Sequence, residues 1–269
     1  MPDIVIHALT AAAYAGLALH FWHTRWRGAP PAALAAWERI AILVPLALHA
    51  YSLHADLVAP AAPRFGFAHA LSAMLWLAVL FYWVESFLYS LEGLLPPALA
   101  LAALAAPLPA FFPGRAAEHA ASLEFKLHLV LAMLAYSLFT LAILHALLMA
   151  FAERRLHRKE GAVLANLPPL LTQERLLFRL IGAAFALLTL TLATGIAFSE
   201  SLFGRALRFD HKTLFALLSW LVFAALLAGR RIYGWRGRLA LRWTFTGFVL
   251  LLLAYVGSRF VLEVILGRT

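Results

Sequence analysis

Eleven histidines and no cysteine make up the transition-metal-binding inventory of this 269-residue chain. Without cysteine there is no disulfide, no thiolate ligand, no thioether link to a haem and no redox dithiol. Any metal or cofactor must be held by His, Met, carboxylate or carbonyl groups. Neutral imidazole binds iron without carrying a formal charge into an apolar phase. His49 lies in Leu46-Ala-Leu-His-Ala-Tyr-Ser-Leu-His54, with apolar neighbours on both sides, and His128 opens another apolar run. One imidazole from each of two helices would suit a low-polarity, non-covalent haem b pocket. His128 and His145 cannot share an iron, because 17 residues of one helix separate them by roughly 25 Å. The ordinary alternative for any such histidine is a hydrogen-bonded contact between helices. His20, His23 and His157, beside Trp22, Trp26 and arginines, suit the membrane interface.

A second polar group is Asp210-His211-Lys212, preceded by Arg205 and Arg208. Asp210 reads as a helix N-cap and Lys212 as a snorkelling cation. The same surface would also suit the two propionates of a porphyrin, which take charge-assisted bonds from Arg or Lys. The candidate iron ligands are therefore His49, His128 and His211 as alternatives, with Arg205, Arg208, Asp210 and Lys212 around the propionates. Trp76, Trp83, Trp220, Trp235 and Trp243 could form flat walls, although packing and interfacial belts also use tryptophan. Arg259 and Glu263 stand four residues apart and could pair. No Gly-rich phosphate loop, His-Glu-x-x-His helix or Gly-x-Ser-x-Gly elbow is present, so no enzymatic activity is expected.

The elements that position these residues are membrane helices. With 64% apolar and 13% charged residues, the chain could not hide its apolar surface in one soluble core. Runs of the roughly 20 residues that cross a bilayer predict an all-α, polytopic bundle of about eight helices, near 4–22, 36–58, 66–89, 93–112, 127–151, 176–199, 211–228 and 241–264. The first is expected as a retained helix, because Asp3 precedes it and Arg25 and Arg27 follow it. Fourteen of the 22 Lys and Arg then fall in alternate loops, which puts both termini outside. On that topology His7, His54, His69, His119, His128 and His211 lie toward the outer side, and His20, His23, His145 and His157 toward the cytoplasm. The net charge of +9 suits anionic lipid at short juxtamembrane loops and implies no nucleic-acid partner. Arg154 to Arg175, containing Pro168 and Pro169, predicts a short interfacial helix with a turn. Pro97 to Pro109 predicts a bent filler helix.

Several runs carry a family likeness: Leu127-His128 with Leu134-Ala-Tyr136, Leu167-Pro-Pro-Leu-Leu-Thr-Gln-Glu-Arg175, Leu187 to Gly195, Lys212, Gly234-Trp-Arg-Gly-Arg238 and Ala254-Tyr-Val-Gly-Ser-Arg259. They resemble the cytochrome c assembly protein family, with its CcsA-, CcmC- and HemX-like groups, and most closely its YpjD-type inner-membrane branch. The likeness covers about Lys126 to Glu263, and the N-terminal half matches mainly in helix count and in Leu48-His49-Ala50. It implies one transmembrane domain, 1–269, with an N-terminal four-helix half, 1–113, and an assembly-like core, 120–265. Such proteins bind or handle haem, and several deliver it to apocytochrome c.

By this resemblance His128 corresponds to the histidine that opens the family core. Asp210 and Lys212 correspond to the residues ending its tryptophan-rich outer motif. Phe198 to Asp210 contains no tryptophan here, and 256–262 contains no histidine, so haem binding is expected rather than delivery. The resemblance implies a bacterial inner-membrane protein with cytochrome c maturation or haem-synthesis proteins as partners. A HemX-like regulatory role in haem synthesis and a b-haem oxidoreductase are the alternatives.

Overall fold

The computed structural model describes residues 2–26, 34–57, 64–89, 91–116, 122–157, 170–203 and 210–266. Among the described residues, eight helices are long and apolar enough to cross a membrane: Ile4–Trp26, Ala36–Leu57, Phe67–Glu85, Glu92–Phe111, Leu123–Arg154, Leu170–Ser199, His211–Tyr233 and Gly237–Ile265. The chain is an all-α polytopic membrane bundle, since a helix satisfies its own backbone in lipid.

The helices are α1 (Pro2–Phe21), extended to Trp26 by wider π-type turns, α2 (Ala36–Leu57) and α3 (Phe67–Glu85). The fourth crossing is broken into α4 (Leu95–Ala105) and α5 (Leu108–Phe111). Then follow α6 (Leu123–His157), α7 (Leu170–Phe203), α8 (His211–Tyr233) and α9 (Gly237–Leu252), which continues in π-type and α turns to Ile265. A two-residue antiparallel ribbon pairs β1 (Arg64–Phe65) with β2 (Arg115–Ala116), joining the approach to α3 with that to α6. This end of the bundle, which also holds the start of α8, is termed the ribbon end.

The break between α4 and α5 follows from proline chemistry. Pro109 has no N–H, and the Ala110 N–H donates to the Pro107 carbonyl, so the Ala106 carbonyl receives no helical donor from either residue. His7 supplies one from α1, its Nδ1 lying 2.8 Å from that oxygen. A proline bend thus fixes the role of a buried histidine on the helix packed against it.

The start of α7 departs from expectation. It begins at Leu170 rather than near 176, so Leu170 to Arg175 forms its first turns and not an interfacial segment. The segment's other end, Arg154 to His157, continues α6, while 158–169 lie outside the described residues. Hydropathy misses these turns because Gln173 and Glu174 are polar, yet both are buried. Glu174 is held by Arg230 of α8 at 2.5 Å, so an ion pair lets the helix start among neighbours.

The most extensive helix pairings are α6 with α7, α1 with α4, α8 with α9 and α3 with α6. One apolar cluster joins α1 to α4 with parts of α6 and α7, around Tyr14, Phe21, Ile42, Leu94 and Leu99. A second joins α3 and α6 to α9, where Phe139 stacks on Phe223 at 4.0 Å. The turn between α8 and α9 uses Gly234 at φ 67°, a left-handed C-cap that glycine takes without strain. It folds Trp235 back over Gly229, where a Cβ would collide with the indole. The Gly-Trp-Arg-Gly-Arg run is therefore a packed turn in which Trp235 has a structural seat. Trp76, Trp83 and Trp220 likewise donate to Leu46 O, Arg39 O and Thr189 Oγ1.

Candidate functional site

His128 lies on the second turn of α6, half-buried against α7. Its Nδ1 is 3.1 Å from Thr194 Oγ1. The Thr194 hydroxyl donates to carbonyls of its own helix, with Leu190 O at 2.9 Å and Thr191 O at 3.0 Å. A hydroxyl has one proton, so with that proton turned to the backbone its oxygen can only accept from the imidazole. The ring is therefore the donor. This places the proton on Nδ1 and the ring's lone pair on Nε2, the nitrogen available to a metal. Gly195 permits the approach: a Cβ there would stand 3.3 Å from His128 Cε1. One helical face later, the Tyr136 hydroxyl donates to Leu251 O at 2.9 Å and ties α6 to α9.

Asp210 caps α8 as expected, accepting from the Thr213 backbone N–H at 3.0 Å and from its hydroxyl at 3.1 Å. Partial burial alone would raise the Asp210 carboxyl. The two Thr213 bonds, with the charges of Lys212 and His211, outweigh it and hold the group below its usual range. A depressed carboxyl contributes stability above its unfolded pKa and loses it as pH falls through the folded value. Asp210→Ala should cost about 1 kcal/mol as a lost cap. Asp210→Asn should keep most of the cap and flatten the acid limb of melting temperature against pH. Unaltered acid sensitivity in Asp210→Asn would remove Asp210 from that role.

Lys212, half-buried, feels the charges of Arg259 and Glu263 from the last helix. Arg259 and Glu263 are 4.0 Å apart. Glu263 Oε2 lies where a Gly66 side chain would begin, 2.7 Å from that Cβ position, and the Gly114 backbone is equally close. Arg115 follows Gly114 on the ribbon, and Arg115 Nε, Arg259 Nε and Glu263 Oε1 are buried without hydrogen-bond partners among the described residues. The ribbon end thus sets Lys212 and Arg259 beside Glu263, with Asp210 also acting on Lys212 and Arg115 on the adjoining ribbon. Arg259 and Arg115 are additions to the expected group. The i, i+4 spacing of Arg259 and Glu263 was visible in sequence, but only the fold brings Lys212 beside them. Arg205 and Arg208 lie outside the described residues.

The structure does not bring the three candidate iron ligands together among the described residues. His211 is the exposed first residue of α8. His49 is fully buried between α1 and α3, with Nε2 2.7 Å from Ser72 Oγ and Nδ1 3.4 Å from the Tyr14 hydroxyl. Its neighbours are polar groups of the N-terminal helices: His7 and His69 face Asp56 Oδ2 at 3.4 and 3.8 Å. At the opposite end of the bundle, His145 pairs with Glu85 at 3.0 Å and His20 with Glu38 at 3.0 Å. No group of three or more His, Asp or Glu able to hold a metal ion occurs among the described residues.

The family model described as "Cytochrome C assembly protein" matches residues 40–266, which extends the likeness well beyond Lys126 to Glu263 and into α2. The inner membrane protein YpjD of Escherichia coli K12 is 34% identical over 173 residues, 64% of this chain and 65% of its own length. The match therefore spans just under two thirds of that relative. An uncharacterised 28.8 kDa protein of Azospirillum brasilense is 39% identical over 142 residues, 52% of each chain. The cytochrome c biogenesis protein CcsA of Nostoc punctiforme is 37% identical over 86 residues, 32% of this chain and 24% of its own. No solved structure matches the chain.

Proposed function

The chain belongs to the cytochrome c assembly protein family, and on that premise we propose that it binds haem b non-covalently, as a YpjD-type protein supporting cytochrome c biogenesis. It is a multi-pass protein of the bacterial inner membrane. The observation carrying the proposal is the His128 arrangement, in which the Thr194 hydroxyl oxygen accepts a hydrogen bond from Nδ1–H and leaves the Nε2 lone pair for iron. A metal-bound histidine commonly donates its other ring N–H in this way.

The residues present fit the group. His128 would hold the iron, and Lys212 with Arg259 would meet the propionates, a pairing that would also use the buried, unpartnered Arg259 Nε. His211 suits a second ligand better than His49, whose ring nitrogens already have partners on two other helices. Bound haem supplies an iron centre able to change oxidation state. The chain's own part is to orient one imidazole and to offset the propionate charge. The test is the absorption spectrum of the purified protein. A Soret band with sharp reduced α and β bands is expected; a haem-free protein co-purifying with a haem-synthesis enzyme would replace this reading with a regulatory one.

The proposed orientation places the ribbon end and both termini outside. An even number of crossings puts both ends on one face, and the majority of basic residues decides which. Reporter fusions at Arg158 and Arg236 should report the cytoplasm. Periplasmic activity at both would invert the bundle.

A further inference from the structure

Two helices build a basic groove at the end of the bundle opposite the ribbon. Ala150, Glu153 and Arg154 of α6 face Arg238, Leu241 and Arg242 of α9 around a half-open cavity of about 410 Å³. Each set has the spacing i, i+3, i+4, so each is one continuous helix face. Arg238 donates to Glu153 at 3.0 Å, which compensates one guanidinium. Arg154 and Arg242 are exposed and have no ion pair among the described residues. The groove therefore holds two uncompensated guanidinium groups above a floor of Ala150 and Leu241.

We infer that this groove is a binding site for an anionic phospholipid, its phosphate held by Arg154 and Arg242 and the start of an acyl chain lying on Ala150 and Leu241. Guanidinium is suited to phosphate because its planar fork can bond two oxygens at once. A free phosphate offers the same oxygens but nothing for the apolar floor, and a zwitterionic lipid offers the chain without net charge. The proposed topology puts the groove in the cytoplasmic leaflet, where basic pockets between helices meet anionic head groups. The site is separate from His128 and the ribbon-end cations, so haem binding and lipid binding fail independently.

The test uses the full chain, purified in neutral detergent, with co-purifying lipid read by mass spectrometry and thermal stability read on adding phosphatidylglycerol, phosphatidylcholine or inorganic phosphate. Wild type should retain the anionic lipid and be stabilised by phosphatidylglycerol alone. Arg154→Ala and Arg242→Ala should each weaken phosphatidylglycerol binding about five-fold, equivalent to about 1 kcal/mol per arginine near an anionic surface. The lipid-free melting curves of these exposed variants should match wild type, which separates lost binding from lost folding. Equal binding by the double variant, equal stabilisation by phosphatidylcholine, or full stabilisation by phosphate alone would each overturn the assignment.

Discussion

Replacing His128 with alanine is expected to abolish the Soret band of the purified protein or to shift it to the position of a differently ligated haem. The substitution removes the only imidazole in the described structure whose tautomer is fixed by a threonine hydroxyl on a packed neighbouring helix. A graded control follows from Gly195. In Gly195→Ala the new Cβ would sit 3.3 Å from His128 Cε1, so the ring must give by a few tenths of an ångström and the band should shift modestly. In Gly195→Leu the ring must leave its seat, and the spectrum should approach that of His128→Ala. Thr194→Val should act similarly by removing the oxygen that accepts the Nδ1 proton. A wild-type spectrum in His128→Ala and in His211→Ala would sink the proposed ligation.

The largest stability effect is expected at Glu38, far from His128. Its carboxylate is 4% exposed as a residue and accepts from Arg25 Nη2 at 2.6 Å, His20 Nε2 at 3.0 Å and the Ala35 backbone N–H at 2.9 Å. The last bond is half of a capping box, in which a glutamate on the first turn reaches back to the residue before the helix. Removing one partner of a buried pair costs about 3–5 kcal/mol, because the other charge stays behind without compensation. Arg25, with 9% of its side chain exposed, is that charge. Glu38→Ala should therefore lower the melting temperature and the yield sharply, and Glu38→Gln should lie between it and wild type. An unchanged melting curve for Glu38→Ala would show that Arg25 finds water instead.

The eight crossings were legible because lipid demands continuous apolar runs, a property that one sequence reports directly. Asp210 was legible as a cap for a similar reason, since its partners lie three residues along the same chain. His49 was not. Its depth could be judged from its neighbours, but its fate depends on Ser72 and Tyr14, supplied by two other helices. The first turns of α7 were missed because Glu174 looks too polar to bury until Arg230 arrives from α8. Gly195 was visible within Leu-Ala-Thr-Gly, yet its purpose appears only when α6 lays His128 across it. Local signals were readable, whereas the pairings between helices needed coordinates.

The hydrogen-bond chain from His128 through Thr194 to the α7 backbone also bears on the kinetics of capture. An imidazole free to rotate would have to be immobilised when a ligand arrives, a cost on the order of 0.5–1.5 kcal/mol per side chain. Here that loss of rotational freedom occurs when α6 packs on α7, before any ligand is met. A metalloporphyrin entering the bundle would encounter a lone pair already aimed and stripped of its competing proton. Rigidity of this kind favours a short search and a narrow choice of approach angle. It also means that loosening the contact between the two helices would release a bound ligand without altering a single residue that touches it.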